Sequence, residues 1–146
     1  MQPLNLPPFD YDFKIVGGKQ YIFDIIRKKF ILNTPEEWVR QHFIHFLIFH
    51  RNYSRSLIKI ESGLKYINRK KRTDIQIYDN EGKINMVIEC KAPIIKLDNE
   101  VITQILQYNK ILQAPNLAIT NGIDHYFCSI SAAGTLEFLD DLPKNL

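Results

Sequence analysis

Asp74, Glu89 and Lys91 are the residues whose types and spacing could do chemistry. An aspartate and a glutamate side by side repel unless a proton or a cation sits between them, and two hard oxygen ligands favour Mg²⁺ or Mn²⁺. A lysine two residues beyond the glutamate shares its strand face, where it could orient or deprotonate a metal-bound water or stabilise charge on a scissile phosphate. The set reads as hydrolytic. The plainer reading is an ordinary Glu89–Lys91 ion pair on an edge strand, worth roughly 0–1 kcal/mol. Against it, both residues follow the apolar run Met86-Val87-Ile88, where solvated charges are less expected.

For these side chains to meet, two strands must pair in one register. Arg72 to Asp79 and Ile84 to Lys91 read as strands around the polar turn Asn80-Glu81-Gly82-Lys83. A loop of these residues sets Asp79 opposite Ile84 and carries Asp74 to Glu89, with Ile75 facing Ile88 and Ile77 facing Met86 on the other side of the sheet. A slip of one residue sets Asp74 against Ile88 and mixes both faces.

A helix must supply any further acid. Thr34 as N-cap, Pro35 at the first position and Glu36-Glu37 at the positive end of the dipole predict a helix running to about residue 51. At roughly 100° per residue, Val39, Phe43, Phe46, Leu47 and His50 form its core face. Glu36 falls within that arc and Glu37 about 100° further round, so Glu36 is the acid expected to point inward. Compensation of the helix dipole would explain both glutamates without any metal.

The remaining elements frame this centre. Residues 1–11, with Pro3, Pro7 and Pro8, read as an irregular arm, followed by a hairpin of Phe13 to Val16 and Gln20 to Ile26 around Gly17-Gly18, with 27–33 leading into the helix. Leu57 to Glu61 reads as a strand, and Pro93 ends the strand that carries Glu89. Asp98 can cap a second helix of about 14 residues with Val101, Ile105, Tyr108 and Leu112 facing inward. Leu117 to Thr120 and Tyr126 to Ile130 close the chain as strands around Asn121-Gly122. The order is hairpin, helix, three strands, helix, two strands: an α/β chain with a mixed sheet.

Composition sets outer bounds. At 146 residues and 45% hydrophobic content the chain is long enough for one core and too short for two, so a single domain is expected. A net charge of +3 does not identify a nucleic-acid binder, but Lys65, Arg69, Lys70, Lys71 and Arg72 crowd one segment free of acids, a patch suited to phosphates or a merely solvated loop. Cys90 and Cys128 lie far apart in apolar stretches and read as buried thiols. With no charged leader before an apolar segment and no apolar run of about 18 residues, no membrane partner is expected and a cytoplasmic location is the default. No glycine-rich phosphate loop ending in Lys-Ser/Thr occurs, so no nucleotide cofactor is expected. His42, His45 and His50 share one helix without an acidic co-ligand and, like the isolated His125, read as packing or surface residues; Trp38 reads as packing rather than base stacking.

Ile88-Glu89-Cys90-Lys91-Ala92-Pro93, preceded by Arg72-Thr73-Asp74, resembles the PD-(D/E)XK nuclease core in the N-terminal domain of the restriction subunit of type I restriction enzymes and in small stand-alone relatives. Thr34-Pro35-Glu36-Glu37-Trp38-Val39-Arg40-Gln41, Gln104-Ile105-Leu106-Gln107-Tyr108 and Leu117-Ala118-Ile119-Thr120-Asn121-Gly122 agree with it, so that the likeness covers about residues 23–127. Thr73 stands where the name-giving motif has proline, a residue that ligates nothing. The resemblance implies a core of order α-β-β-β-α-β, Asp74 and Glu89 as metal ligands, the main-chain carbonyl of Cys90 as a further one, Lys91 as the catalytic lysine and often a glutamate from the first helix. It also implies a Gln-x-x-x-Tyr element beside the site, matched by Gln104 and Tyr108.

The reading that results is Mg²⁺- or Mn²⁺-dependent hydrolysis of DNA, with Arg40, Lys70, Lys71 and Arg72 as candidate backbone contacts. A non-catalytic DNA-binding or assembly module and an RNA-directed nuclease are the alternatives. A chain of this length leaves no room for a target-recognition domain, so specificity would come from a partner chain or a homodimer.

Overall fold

The computed structural model describes residues 2–60 and 74–143. Two sheets flank the first helix. β1 (Phe13–Val16), β2 (Lys19–Asp24) and β3 (Lys29–Leu32) form an antiparallel three-stranded sheet. Gly17 and Gly18, at φ 59° and 78°, make the two-residue turn between β1 and β2, in which both central residues need positive φ. Within 27–33, expected only to lead into the helix, Lys29–Leu32 form β3, paired Phe23 to Phe30 with β2.

α1 (Pro35–His50) begins where its caps predict, the Thr34 hydroxyl accepting the Glu37 N–H at 3.0 Å. β4 (Ile58–Ile60), β5 (Ile75–Tyr78), β6 (Ile84–Cys90), β7 (Asn116–Thr120), β8 (His125–Ile130) and β9 (Leu136–Leu139) form one sheet in chain order. Among the described strands only β6 and β7 are parallel, and α2 (Asn99–Leu112), capped by Asp98, makes the crossover between them. β9 is a further strand beyond the two expected at the C-terminal end. The strand assigned to Leu57 to Glu61 and that assigned to Arg72 to Asp79 both run partly outside the described residues.

Alternation along the strands sends each face of the sheet to a different helix. Ile75, Ile77, Met86, Ile88, Cys90 and Ala118 pack against Val39, Phe43, Ile44 and Leu47 of α1. Val87, Leu117 and Cys128 on the opposite face meet Leu106 and Leu112 of α2, and Ile119 meets Ile105. Each fully buried Leu or Ile contributes roughly 2 kcal/mol, so this layering fixes which face every strand residue takes.

The expected core arc of α1 is corrected in two ways. Phe46 is only half-buried, His50 is exposed, and Glu36, expected to be the inward acid, has a half-exposed side chain, whereas Glu37, Trp38, Gln41, His42, Ile44 and His45 are buried. The reason is non-local: the three-stranded sheet covers one flank of the helix and residues 2–12 cover another. Phe9 stacks on His45 with ring centroids 4.1 Å apart, and the Trp38 Nε1–H donates to the Gln2 carbonyl at 2.8 Å. The arm is therefore irregular yet anchored, and its Asn5 N–H donates to Gly122 at 2.7 Å. His125 bridges Thr120 and the Asn5 carbonyl, which makes it a packing histidine.

Candidate active site

The hairpin of β5 and β6 delivers the two acids of the motif. Ile75 pairs with Ile88, Gln76 with Val87 and Ile77 with Met86, as the segregation of apolar residues requires. The turn is tighter than the four-residue loop expected. Tyr78 pairs with Ile84, the Asp79 N–H donates to the Lys83 carbonyl at 2.8 Å, and Gly82 takes a φ of 82°. Asn85 is then an extra residue, a bulge that restores the register before the site is reached. Its carbonyl accepts from the Asn116 side chain of β7 at 3.1 Å.

Asp74 stands one residue ahead of β5, and its N–H donates to Ile88 at 3.2 Å, which sets it beside Glu89. Both its carboxylate oxygens are engaged: Oδ2 accepts the Cys90 N–H at 2.6 Å and Oδ1 accepts from Arg40 Nη2 at 2.6 Å. In an extended strand the N–H and C=O of one residue point to the same edge, so the Cys90 carbonyl is directed toward the Asp74 side. The Cys90 thiol itself is fully buried, and burial first, then the Asp74 charge, pushes it well above the ordinary thiol range. It is no thiolate ligand. Glu89 is buried, and its Oε2 lies 3.2 Å from Lys91 Nζ.

Glu36 joins this group from α1. Its carboxyl is raised above the usual range by partial burial, then by the charge of Asp74, while Arg40 and Lys91 pull the other way. Such crowding of acids is relieved by a cation, and hard oxygens on Asp74, Glu89 and Glu36 are the donor chemistry that suits Mg²⁺ or Mn²⁺. The donors fit; their present arrangement is not a closed cage. Among the described residues no group of three or more His, Cys, Asp or Glu side chains is gathered to hold a metal.

Arg40 has a different placement from that expected of a DNA contact. Its side chain is 12% exposed, and its Nη2 donates to Glu36 at 2.9 Å as well as to Asp74, while Nη1 pairs with Glu37. Burial opposes the charge on this guanidinium, but the carboxylates of Asp74 and Glu37 hold it firmly protonated. The Glu36–Arg40 contact could have been read from their spacing of four on a helix; the Arg40–Asp74 contact could not.

Glu37 faces away from this centre. It accepts from Arg27 at 3.0 Å and from Gln41 at 2.7 Å, and both donors also reach Asp24. That buried network was missing from the sequence reading. Gln104 stands exposed on α2, and Tyr108 is half-buried one turn later. Lys70, Lys71 and Arg72 lie outside the described residues, with the rest of the basic segment.

Comparison with known families decides the lineage. The family described as type I restriction enzyme R protein N terminus matches residues 35–143. The chain belongs to that family. The match starts at the first residue of α1 and ends beyond β9, so it takes in every residue of the acidic cluster and the added last strand. No curated protein and no solved structure matches the chain significantly. Among the described residues no helix is long and apolar enough to cross a membrane.

Proposed function

We propose that this member of the restriction family is a DNA-cleaving domain, a metal-dependent endonuclease working in the cytoplasm as part of a restriction or DNA-processing system. The single observation that carries the reading is that Arg40 Nη2 draws Asp74 and Glu36 together beside the strand that carries the Glu89–Lys91 pair, in a chain of this family. Asp74, Glu89, Glu36 and the Cys90 carbonyl are the groups that would hold Mg²⁺ or Mn²⁺. Bound there, the ion supplies Lewis-acid activation of a phosphodiester and of water.

The chain's own residues do the rest. The Cys90 N–H fixes one oxygen of Asp74, so its carboxylate is aimed before any ligand arrives. Lys91, held at the rim by Glu89 and 20% exposed, is positioned to steady a water or the charge that develops on a cleaved phosphate. Gln104 on α2 is proposed to join the catalytic set, and Tyr108, with Lys70, Lys71 and Arg72, to help seat the DNA backbone. Specificity is assigned to a partner chain or a second copy.

The test is cleavage of supercoiled, linear and single-stranded DNA by the purified protein with Mg²⁺ or Mn²⁺, run beside matched RNA. Metal-dependent DNA cleavage is expected, and Lys91→Ala should reduce it on the order of 100-fold or more with little change in thermal stability. Intact DNA under every condition would sink the reading. The open arrangement of the acids favours one second reading, a non-catalytic DNA-binding module. It predicts DNA binding that is unchanged by Asp74→Ala and by removal of metal.

A further inference from the structure

Arg40 already occupies the position in which a cation is wanted. Its Nη2 lies 2.6 Å from Asp74 Oδ1 and 2.9 Å from Glu36 Oε2, so one nitrogen bridges two of the acids assigned above to the metal. Its Nη1 is held by Glu37, which is pinned in turn by Arg27 and Gln41. The guanidinium is thus tethered at one nitrogen to a fixed acid and at the other to the candidate ligands, and its Nε, buried, has no hydrogen-bond partner among the described residues. A planar fork with one fixed prong can release the other without leaving its place on the helix.

The geometry points to Arg40 as a resident counter-cation that holds Asp74 and Glu36 together in the metal-free protein and competes with the divalent ion for them. This rests on the metal-dependent reading of the site. On metal entry the Nη2 contacts open while Nη1 stays on Glu37. The same arrangement explains why the acids form no closed cage: one oxygen of Asp74 and one of Glu36 are turned to the guanidinium. A permanent brace would instead keep its contacts whether or not metal is present.

Titration calorimetry with MnCl₂ on the whole chain separates the two. Arg40→Gln should bind Mn²⁺ about tenfold tighter or more than the parent protein. Its metal-free form should melt lower and gain more from added Mn²⁺, because the ion then supplies the missing charge. Arg40→Lys, which keeps the charge but not the fork, should fall between them. Equal or weaker Mn²⁺ binding by Arg40→Gln overturns the competition while leaving the nuclease reading standing. If the parent protein gives no binding heat, the metal reading falls first and this inference with it. Should Arg40→Gln fail to fold, a crystal structure of the parent protein grown with MnCl₂ decides: an Arg40 Nη2–Asp74 Oδ1 separation beyond about 3.5 Å supports competition, and an unchanged hydrogen bond overturns it.

Discussion

Glu36 and Glu37 are neighbours in the chain, yet they belong to two charged clusters built on different terms. Around Glu37, the residues Arg27, Gln41 and Asp24 form a closed set, buried between α1 and the three-stranded sheet, in which each carboxylate meets fixed donors. Around Glu36, two carboxylates draw on one guanidinium nitrogen, and the Glu36 side chain is 45% exposed. Satisfied charges hold a fold together, whereas crowded acids with one member open to solvent are poised for a ligand. Arg40 belongs to both clusters, and this is how the structural one can steady the chemical one.

The comparison breaks most readily at Glu37. Glu37→Gln leaves the buried Arg27 and Arg40 short of an acid and should cost about 3 kcal/mol, read as a lower urea midpoint, with cleavage per folded molecule retained. If the midpoint stays put, the inner cluster is not what holds α1 to the first sheet.

Acid should then separate ionic from neutral packing. Burial pushes Asp24 upward, but the backbone and guanidinium of Arg27, with Gln41, more than reverse this and leave its carboxyl below the usual range. Its contribution is therefore present at neutral pH and lost only as pH falls through that lowered value. His45 is lowered by a different cause and loses its contribution in the same direction: burial against Phe9, then the charge of His42, pushes its imidazole down to about 4. An unfolded chain takes up this proton near pH 6.5, so stability should fall as pH drops from about 6.5 toward 4, by on the order of 2 kcal/mol at pH 5. His45→Phe should flatten that slope in denaturant titrations at pH 7, 6 and 5. A slope that survives the substitution would move the acid sensitivity elsewhere.

The smallest stability effect belongs to Glu36. Glu36→Gln should change the urea midpoint by less than about 1 kcal/mol, since the pair with Arg40 is half in solvent, and yet weaken Mn²⁺ binding measurably. A large loss of stability would merge the two clusters into one structural network.

What the sequence disclosed follows a physical divide. The caps at Thr34 and Asp98 are local hydrogen bonds, and the pairing of Ile75 with Ile88 is imposed by face segregation, so both were legible. The inward arc of α1 was not, because the arm and the first sheet that bury Trp38, Gln41 and His45 are non-local and leave no trace in helical periodicity. β3 and β9 are four-residue strands, Lys-Phe-Ile-Leu and Leu-Glu-Phe-Leu, too short for a period of two to stand out. At the site, the acids were legible as a motif, while the diversion of Arg40 from a DNA-contacting role to an ion pair with Asp74 depends on a contact between residues far apart in the chain.

The bulge at Asn85 lies between the tight turn and the register that carries Glu89. It works as a slip joint in the hairpin. One residue gained or lost at the tip can be traded against the bulge, so the tip can vary in length while the spacing between Asp74 and Glu89 stays constant. A change of length at the tip would be absorbed there, before it reached the chemical end.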